Sequence, residues 1–286
     1  MAIELEIKLT VSETAQARAL DWLVRQPEAS KGSAKTLSNR YYDTADAALN
    51  RARAALRVRQ AGDRYIQTLK TQGQFTGGAH RREEWEWELA SPELDLSLLA
   101  RTPLAGQVDL AALQLVFQTN FQRQIVMLTT AESEIEVALD TGEVVGGGRS
   151  RPLHEVEFEL KTGEPDELIR WAKALAGQVP VFLNLVSKAE QGYFLAGIYQ
   201  PQTAVPDHAL SVTEWLHTLS LSWLTGARVE LPEPALQSLA RAAEAAGLGP
   251  QWPLLKAHLQ AGTTAARVIE LFPQLGNMQL ALVHQD

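Results

Sequence analysis

The chain has 286 residues, 45% of them hydrophobic, enough to bury one large or two modest domains and too apolar for a disordered chain. Its formal charge of −8 argues against a nucleic-acid partner held by bulk positive charge, so any bound anion must be met by a local cluster of Lys and Arg. It has no cysteine, which removes disulfides, thiolate nucleophiles and Cys-ligated zinc; no apolar run approaches the roughly 20 residues of a membrane span, and the N-terminus reads as a strand rather than a signal peptide, so a cytoplasmic protein with no membrane partner is the expectation.

In chain order, residues 2–10 alternate as a strand, and Ser12 opens a helical pattern over 12–25 that carries Leu20, Trp22 and Leu23. Residues 37–44 read as a strand entering a turn and 45–52 as a short helix. Residues 54–61 and 64–71 form a hairpin closed by Ala61-Gly62-Asp63. A glycine-rich loop over 73–80 leads to a strand at 81–89, and Ser91 with Glu93 opens a helical stretch that stops before Pro103. Strands resume at 116–128, 133–141 and 153–162, with Thr141-Gly142 and Gly146-Gly147-Gly148 as turns. Residues 164–177 start on Glu164 and Asp166 and carry the stripe Leu168, Ile169, Trp171, Ala172 and Leu175, the pattern of a helix. Gln200–Asp207 reads as a linker; beyond it the periodicity predicts helices over 209–225, 233–246, 251–261 and 263–272, with Pro234 near a start and Gly247 past an end.

Five of the strand segments place charged residues at every second position: Glu4-x-Glu6-x-Lys8, Leu56-Arg57-Val58-Arg59, Thr68-Leu69-Lys70, Arg82-x-Glu84-x-Glu86-x-Glu88 and Glu155-x-Glu157-x-Glu159-x-Lys161. Alternate residues of a strand share a face, so these strands carry mixed-sign ionic rows opposite apolar ones. Arg123 and Lys188 add cations, while Glu136 and Asp140 add carboxylates of one parity. Phosphoryl transfer uses these residue types. Its transition state demands positioning and charge stabilisation; Arg gives planar two-point contacts to phosphate oxygens, Lys a point charge, and carboxylates hold hard cations such as Mg²⁺ or Mn²⁺. The strands must curl so that both signs face one cavity.

In these residues the chain resembles the CYTH family, the triphosphate tunnel metalloenzymes, from residue 1 to about 199. The resemblance rests on Glu4-x-Glu6-x-Lys8, Tyr41-Tyr42-Asp43-Thr44, the Arg57/Arg59 and Lys70 segments, Thr76-Gly77-Gly78 leading to Arg82, Phe121-Gln122-Arg123, Leu139-Asp140-x-Gly142-Glu143, the 155–161 strand and Ser187-Lys188-x-x-x-Gly192-Tyr193. It implies an α+β fold, an eight-stranded antiparallel β-barrel or tunnel with a polar interior and helices outside, followed here by a small all-α C-terminal segment. Within the family the chain is similar to bacterial inorganic triphosphatases, which cleave tripolyphosphate to pyrophosphate and phosphate with a divalent metal. That likeness implies Lys8, Arg57, Arg59, Lys70, Arg82, Arg123 and Lys188 as phosphate ligands, and Glu4 and Glu6, with Lys8, at the catalytic centre. It implies Mg²⁺ or Mn²⁺ held by Glu4, Glu6, Asp140, Glu155, Glu157 and Glu159, and tripolyphosphate or another triphosphate compound as the partner.

Other charged positions have plainer readings. Glu84, Glu86 and Glu88 alternate with Trp85 and Trp87 as a solvated row would; Lys161 is expected beyond the site, Asp43 as a turn former, Arg40 at either the tunnel or the surface, and His80 and His154 are unassigned. The expected division is a tunnel domain over 1–199 and a helical appendage over 200–286 that packs on the tunnel or makes a homodimer. Related proteins often append a longer, histidine-containing CHAD domain thought to bind polyphosphate; this tail is shorter and acidic, with scattered histidines. The competing functions are an organic triphosphate enzyme (thiamine triphosphatase or class IV adenylate cyclase) and a non-catalytic module that binds triphosphate or polyphosphate.

Overall fold

In the computed structural model, residues 2–71, 73–76, 78–202 and 208–283 are described. The strands in chain order are β1 (Ala2–Thr10), β2 (Ala29–Asp43), β3 (Ala55–Ala61), β4 (Arg64–Lys70), β5 (Gln74–Thr76), β6 (Ala79–Leu89), β7 (Gln114–Thr129), β8 (Ser133–Gly146), β9 (Arg149–Gly163) and β10 (Phe182–Leu183). Eight of them form an antiparallel ring in the order β1, β9, β8, β7, β2, β3, β4, β6, which the pairing of β6 with β1 closes. Closure removes the unpaired edges of an open sheet. Short β5 lies beside β6, and β10 pairs with the end of β1.

The alternation in β1 decides which side faces out. Ile7 and Leu9 are wholly buried on the outside, in one hydrophobic cluster with Ala15, Ala19 and Leu23 of α1 (Glu13–Leu23) and Leu168, Trp171 and Leu175 of α3 (Asp166–Ala176). Glu4, Glu6 and Lys8 are therefore left on the inner face, where they too are buried. Ser12 caps α1 by accepting from the Ala15 N–H at 3.1 Å. Between β2 and β3, α2 (Ala48–Arg51) is held by Asp43, whose carboxylate accepts from the Leu49 and Asn50 N–H groups; Asp43 is the expected turn former.

After β10 come α4 (Lys188–Leu195), α5 (Val212–Thr225), α6 (Glu233–Ala245), α7 (Trp252–Gln260), α8 (Ala265–Leu271) and α9 (Leu275–Val283). The cluster outside β1 runs without a break into this helical segment, taking in Trp215, Leu239, Leu259 and Leu280. At the junction, the Gln279 side chain of α9 accepts from the Leu183 N–H at 2.8 Å and donates to the Leu183 carbonyl at 3.1 Å. The same helix comes close enough to Val181 that a Cβ at Gly276 would lie 2.3 Å from the valine side chain. Among the described residues no helix is long and apolar enough to cross a membrane.

Several local expectations are corrected. β2 begins at Ala29 rather than 37, because its unpromising first half (Ala-Ser-Lys-Gly-Ser-Ala-Lys-Thr) is held by register with β7. The helical stretch at Ser91 is a 3₁₀ turn over Leu96–Arg101, capped by Asp95. Thr141-Gly142 is strand, not turn: Gly142 sits where a Cβ would lie 2.1 Å from the Asn120 carbonyl of β7, and the true turn is at Gly147-Gly148, both at positive φ. Part of the glycine-rich 73–80 segment forms β5 and the start of β6, while Gln72 and Gly77 lie outside the described residues, as do 203–207 of the expected linker.

Candidate active site

The inner faces of the ring enclose a cavity of about 820 Å³. Lining it are Glu4, Glu6 and Lys8 from β1, Arg57 and Arg59 from β3, Lys70 from β4, Arg82 from β6, Arg123 from β7, Glu157 and Glu159 from β9, and Lys188 from the first turn of α4. Seven elements far apart in sequence thus converge, and the expected residues meet in one place except for two. Asp140 and Glu155, expected among the metal ligands, lie one layer back and are fully buried behind the wall. There they position cations. Asp140 accepts two bonds from Arg123, at 2.7 and 2.6 Å, and Lys188 reaches Asp140 at 3.0 Å and Glu155 at 2.7 Å.

Most of the cations are already matched. Lys70 bonds both Glu4 oxygens at 2.8 Å; Arg82 bonds Glu4 at 2.9 Å and also Glu6. Arg123 and Lys188 share Glu157, at 2.8 and 2.7 Å. Burial alone would raise the Glu4 and Glu157 carboxyls, but Lys70 and Arg82 in one case, and Lys188 and Arg123 in the other, hold them well below the usual carboxylate range. Burial likewise opposes the Lys188 charge, yet Glu155, Glu157 and Asp140 raise its pKa well above that of a free lysine.

Three cations are not matched. Among the described residues, no carboxylate lies within salt-bridge distance of Arg57, Arg59 or Lys8. Arg57 donates only a long 3.5 Å bond to the Tyr41 hydroxyl, and its buried Nε has no partner. Arg59 donates to Asn39 Oδ1 at 2.8 Å, and burial together with Arg57 and Arg123 holds its pKa below the ordinary arginine value. Lys8 donates to the Val186 carbonyl, and burial lowers its pKa. Buried positive charge without a counter-charge is costly unless an anion supplies one.

The CYTH domain family model matches residues 2–193, the stretch that holds the whole ring. The chain belongs to the CYTH domain family. An inorganic triphosphatase of Haemophilus influenzae is 34% identical over 160 residues, covering 56% of this chain and 46% of that protein. The chain thus spans about half the length of that curated relative. Among solved structures, a candidate adenylyl cyclase of Hippeastrum, reported to reveal a dominant triphosphatase activity, shares the fold with a TM-score of 0.51 at 22% identity, over 69% of this chain and 98% of that one. A candidate adenylate cyclase of Bacillus halodurans aligns with a TM-score of 0.40 at 16% identity, over 71% of this chain and 96% of that one.

One wall of the CYTH tunnel is acidic. Across three neighbouring strands, Glu6 lies opposite Glu159, and Glu159 opposite Glu136, all on the inner face. Like charges directly opposed on a sheet destabilise one another. Burial pushes the Glu6 and Glu159 carboxyls up, and neighbouring carboxylates add to the shift. An oxygen-only row of this kind suits a hard cation such as Mg²⁺ or Mn²⁺. As the side chains stand, Lys161 bridges the row, at 2.7 Å to Glu159 and 3.9 Å to Glu136, and among the described residues no three acidic or histidine side chains converge tightly enough to ligate a metal. The donor chemistry fits, with Glu6 and Glu159 at its centre and Glu4 and Glu157 beside them.

Some CYTH tunnel residues escaped the sequence reading. Lys161 lines the cavity instead of lying beyond it; Glu84 and Glu86 line it too, Glu86 still exposed as a solvated row would be, and Glu136 lines it on the parity read from the sequence. Glu88 is exposed on Arg64 at 2.9 Å, and Arg40 is exposed. His80 lines the cavity with a buried, unpartnered Nε2; burial, with Lys8 and Arg82 nearby, pulls its pKa down to about 3. Thr213 and His217, from α5, reach the cavity too, and nothing in the sequence ties them to it.

Proposed function

We propose that this tunnel is the active site of an enzyme that hydrolyses a phosphoanhydride bond of a triphosphate compound, with inorganic tripolyphosphate as the simplest substrate. The observation that carries the reading is the set of three cations, Lys8, Arg57 and Arg59, buried or half-buried and, among the described residues, with no carboxylate in salt-bridge distance, facing one cavity in which Lys70, Arg82, Arg123 and Lys188 are already paired. They are a preformed seat for several phosphate groups. Lys70, Arg82, Arg123 and Lys188 stand beside them and can move from carboxylate to phosphate as the ligand enters.

A water attacks the terminal phosphorus, the bridging P–O bond breaks, and its electrons leave on the pyrophosphate, or on the diphosphate end of a substituted substrate. Arg57, Arg59 and Lys8 hold the phosphate oxygens in place and stabilise the charge that the leaving group gains. Glu4, Glu6, Glu157 and Glu159 would hold Mg²⁺ or Mn²⁺. When bound, such a cation neutralises phosphate charge and lowers the pKa of water. The names of the Haemophilus and Hippeastrum proteins support a triphosphatase reading.

A second reading has an organic group on the triphosphate. It is favoured by the cavity, which at about 820 Å³ lies in the range, on the order of 300–1,000 Å³, of sites that hold drug-sized ligands. Phosphate release from tripolyphosphate, ATP and thiamine triphosphate, each with Mg²⁺, Mn²⁺ or chelator, tests both, with cyclic AMP assayed alongside. Metal-dependent release is expected. No release from any of the three, with tight binding, would make the tunnel a binding module, and cyclic AMP formation would make it a cyclase.

A further inference from the structure

The lining of the cavity also takes in Arg53, exposed on the loop after α2, and, from beyond the family match, Tyr199 and Thr213 and the exposed His217 of α5. Two observations set this outer end apart. First, Arg53 and His217 have no ion-pair or hydrogen-bond partner among the described residues, whereas neighbouring Arg51 is engaged by Asp46 at 2.5 Å. Second, Arg53 holds φ 53°, directly after the end of α2, with its N–H on the Asn50 carbonyl at 2.9 Å. Helices commonly end there on glycine, because other residues are strained in the left-handed region. A side chain retained at such a cost on the exposed lining of the cavity points to a use for the side chain. Glu190 also lines this end, but its carboxylate is committed to the α4 capping box, accepting from the Ser187 N–H at 2.8 Å.

We propose that Arg53, His217 and Thr213 form an outer subsite for a further phosphate group, so that the tunnel prefers an inorganic chain one unit longer than tripolyphosphate, and that α5 supplies the part of the site that sets chain length. The inference rests on the triphosphate reading of the inner tunnel. Charge favours a phosphate over a ring here: Arg53 brings a guanidinium, His217 an imidazole and Thr213 a hydroxyl, while of the aromatics Tyr41 is already stacked on Phe117 at 4.4 Å and Tyr199 packs against that same cluster.

The test is calorimetric binding of tripolyphosphate, tetrapolyphosphate and ATP to the full chain in chelator, so that no turnover is needed. The wild type is expected to bind tetrapolyphosphate about tenfold more tightly than tripolyphosphate, the scale of one charge-assisted hydrogen bond. Arg53→Gly and His217→Ala should each pull that ratio toward one, and Arg53→Lys should restore much of it. Arg53→Gly should also raise the melting temperature, since glycine accepts the left-handed backbone. That rise together with the lost preference separates a strained binding residue from a structural one. Tripolyphosphate binding with no gain for the longer chain, or a ratio unmoved in both variants, overturns the subsite and leaves the inner tunnel standing, as does a preference that appears for ATP instead. Failure of the wild type to bind any of the three anions takes down the triphosphate reading and this inference with it.

Discussion

At the scale of single residues, the tunnel holds two kinds of buried cation, and removing them has opposite consequences. Lys188 pairs with Asp140, Glu155 and Glu157; Arg123 also holds the first and third, so Lys188→Met leaves Glu155 buried without a cation in salt-bridge distance among the described residues and is expected to cost about 3–5 kcal/mol in urea unfolding. Arg57 makes no salt bridge among the described residues and feels Glu84 and Glu86 only at longer range, so Arg57→Ala should leave the melting temperature unchanged or higher while weakening tripolyphosphate binding about 10-fold or more, measured by calorimetry in chelator. Equal losses of stability in both variants would mean that Arg57 has a structural counter-charge. His80 gives a pH signature. It stays neutral in the fold down to about 3, whereas an unfolded histidine titrates near 6.5. The unfolded chain therefore binds one more proton across that window, and stability falls as pH drops through it, by about 1.4 kcal/mol per unit. His80→Gln should flatten the urea midpoint against pH between about 6 and 4; an unaltered slope would show that His80 is protonated in the fold.

At the scale of elements, α4 ties the tunnel's end to its chemistry. Ser187 and Glu190 form a reciprocal cap, the Ser187 hydroxyl accepting from the Glu190 N–H at 3.1 Å, and this fixes where Lys188 starts. One turn on, Gly192 lies against the Phe117 ring, where a Cβ would meet ring carbons at 2.0 and 2.1 Å. Gly192→Ala is expected to push α4 off β7, lowering the melting temperature by several degrees and weakening tripolyphosphate binding, because Lys188 moves with the helix. A variant as stable and as tight as the wild type would mean that α4 can shift freely. This spacing of Lys188 and Gly192 was visible as a motif, but a helix of eight residues with a weak apolar stripe gave no periodicity by which to find it. The same limit hid α9, while the strong stripe of α3 placed that helix within two residues. The first half of β2 was illegible for another reason: its pairing with β7 supplies what its composition lacks.

At the scale of the whole molecule, the helical segment shares one hydrophobic cluster with the outside of the barrel, through Phe182, Leu183, Leu275, Leu280 and Leu282. Removing residues 200–286 would uncover that surface and break the Gln279 bonds to Leu183. The expected outcome is a truncated chain that aggregates or melts well below the full chain, by light scattering and circular dichroism. A truncated barrel with an unchanged melting temperature would show instead that the two parts are independent domains.

The sequence by itself determined most of the bore's residues, because strand alternation is local: once β1 puts Ile7 and Leu9 on one face, Glu4, Glu6 and Lys8 can only share the other; the barrel itself was legible only through the family resemblance of those motifs. What it left undecided depends on distances between segments far apart in the chain. Asp140 and Glu157 read alike as acids of strand parity, yet packing puts one behind Arg123 and the other in the cavity. Arg57 and Arg82 read alike as tunnel cations, and only ring closure, which sets β6 beside β1, gives Arg82 two carboxylates and leaves Arg57 none. Thr213 and His217 became cavity residues through the docking of α5, an event that no local pattern encodes.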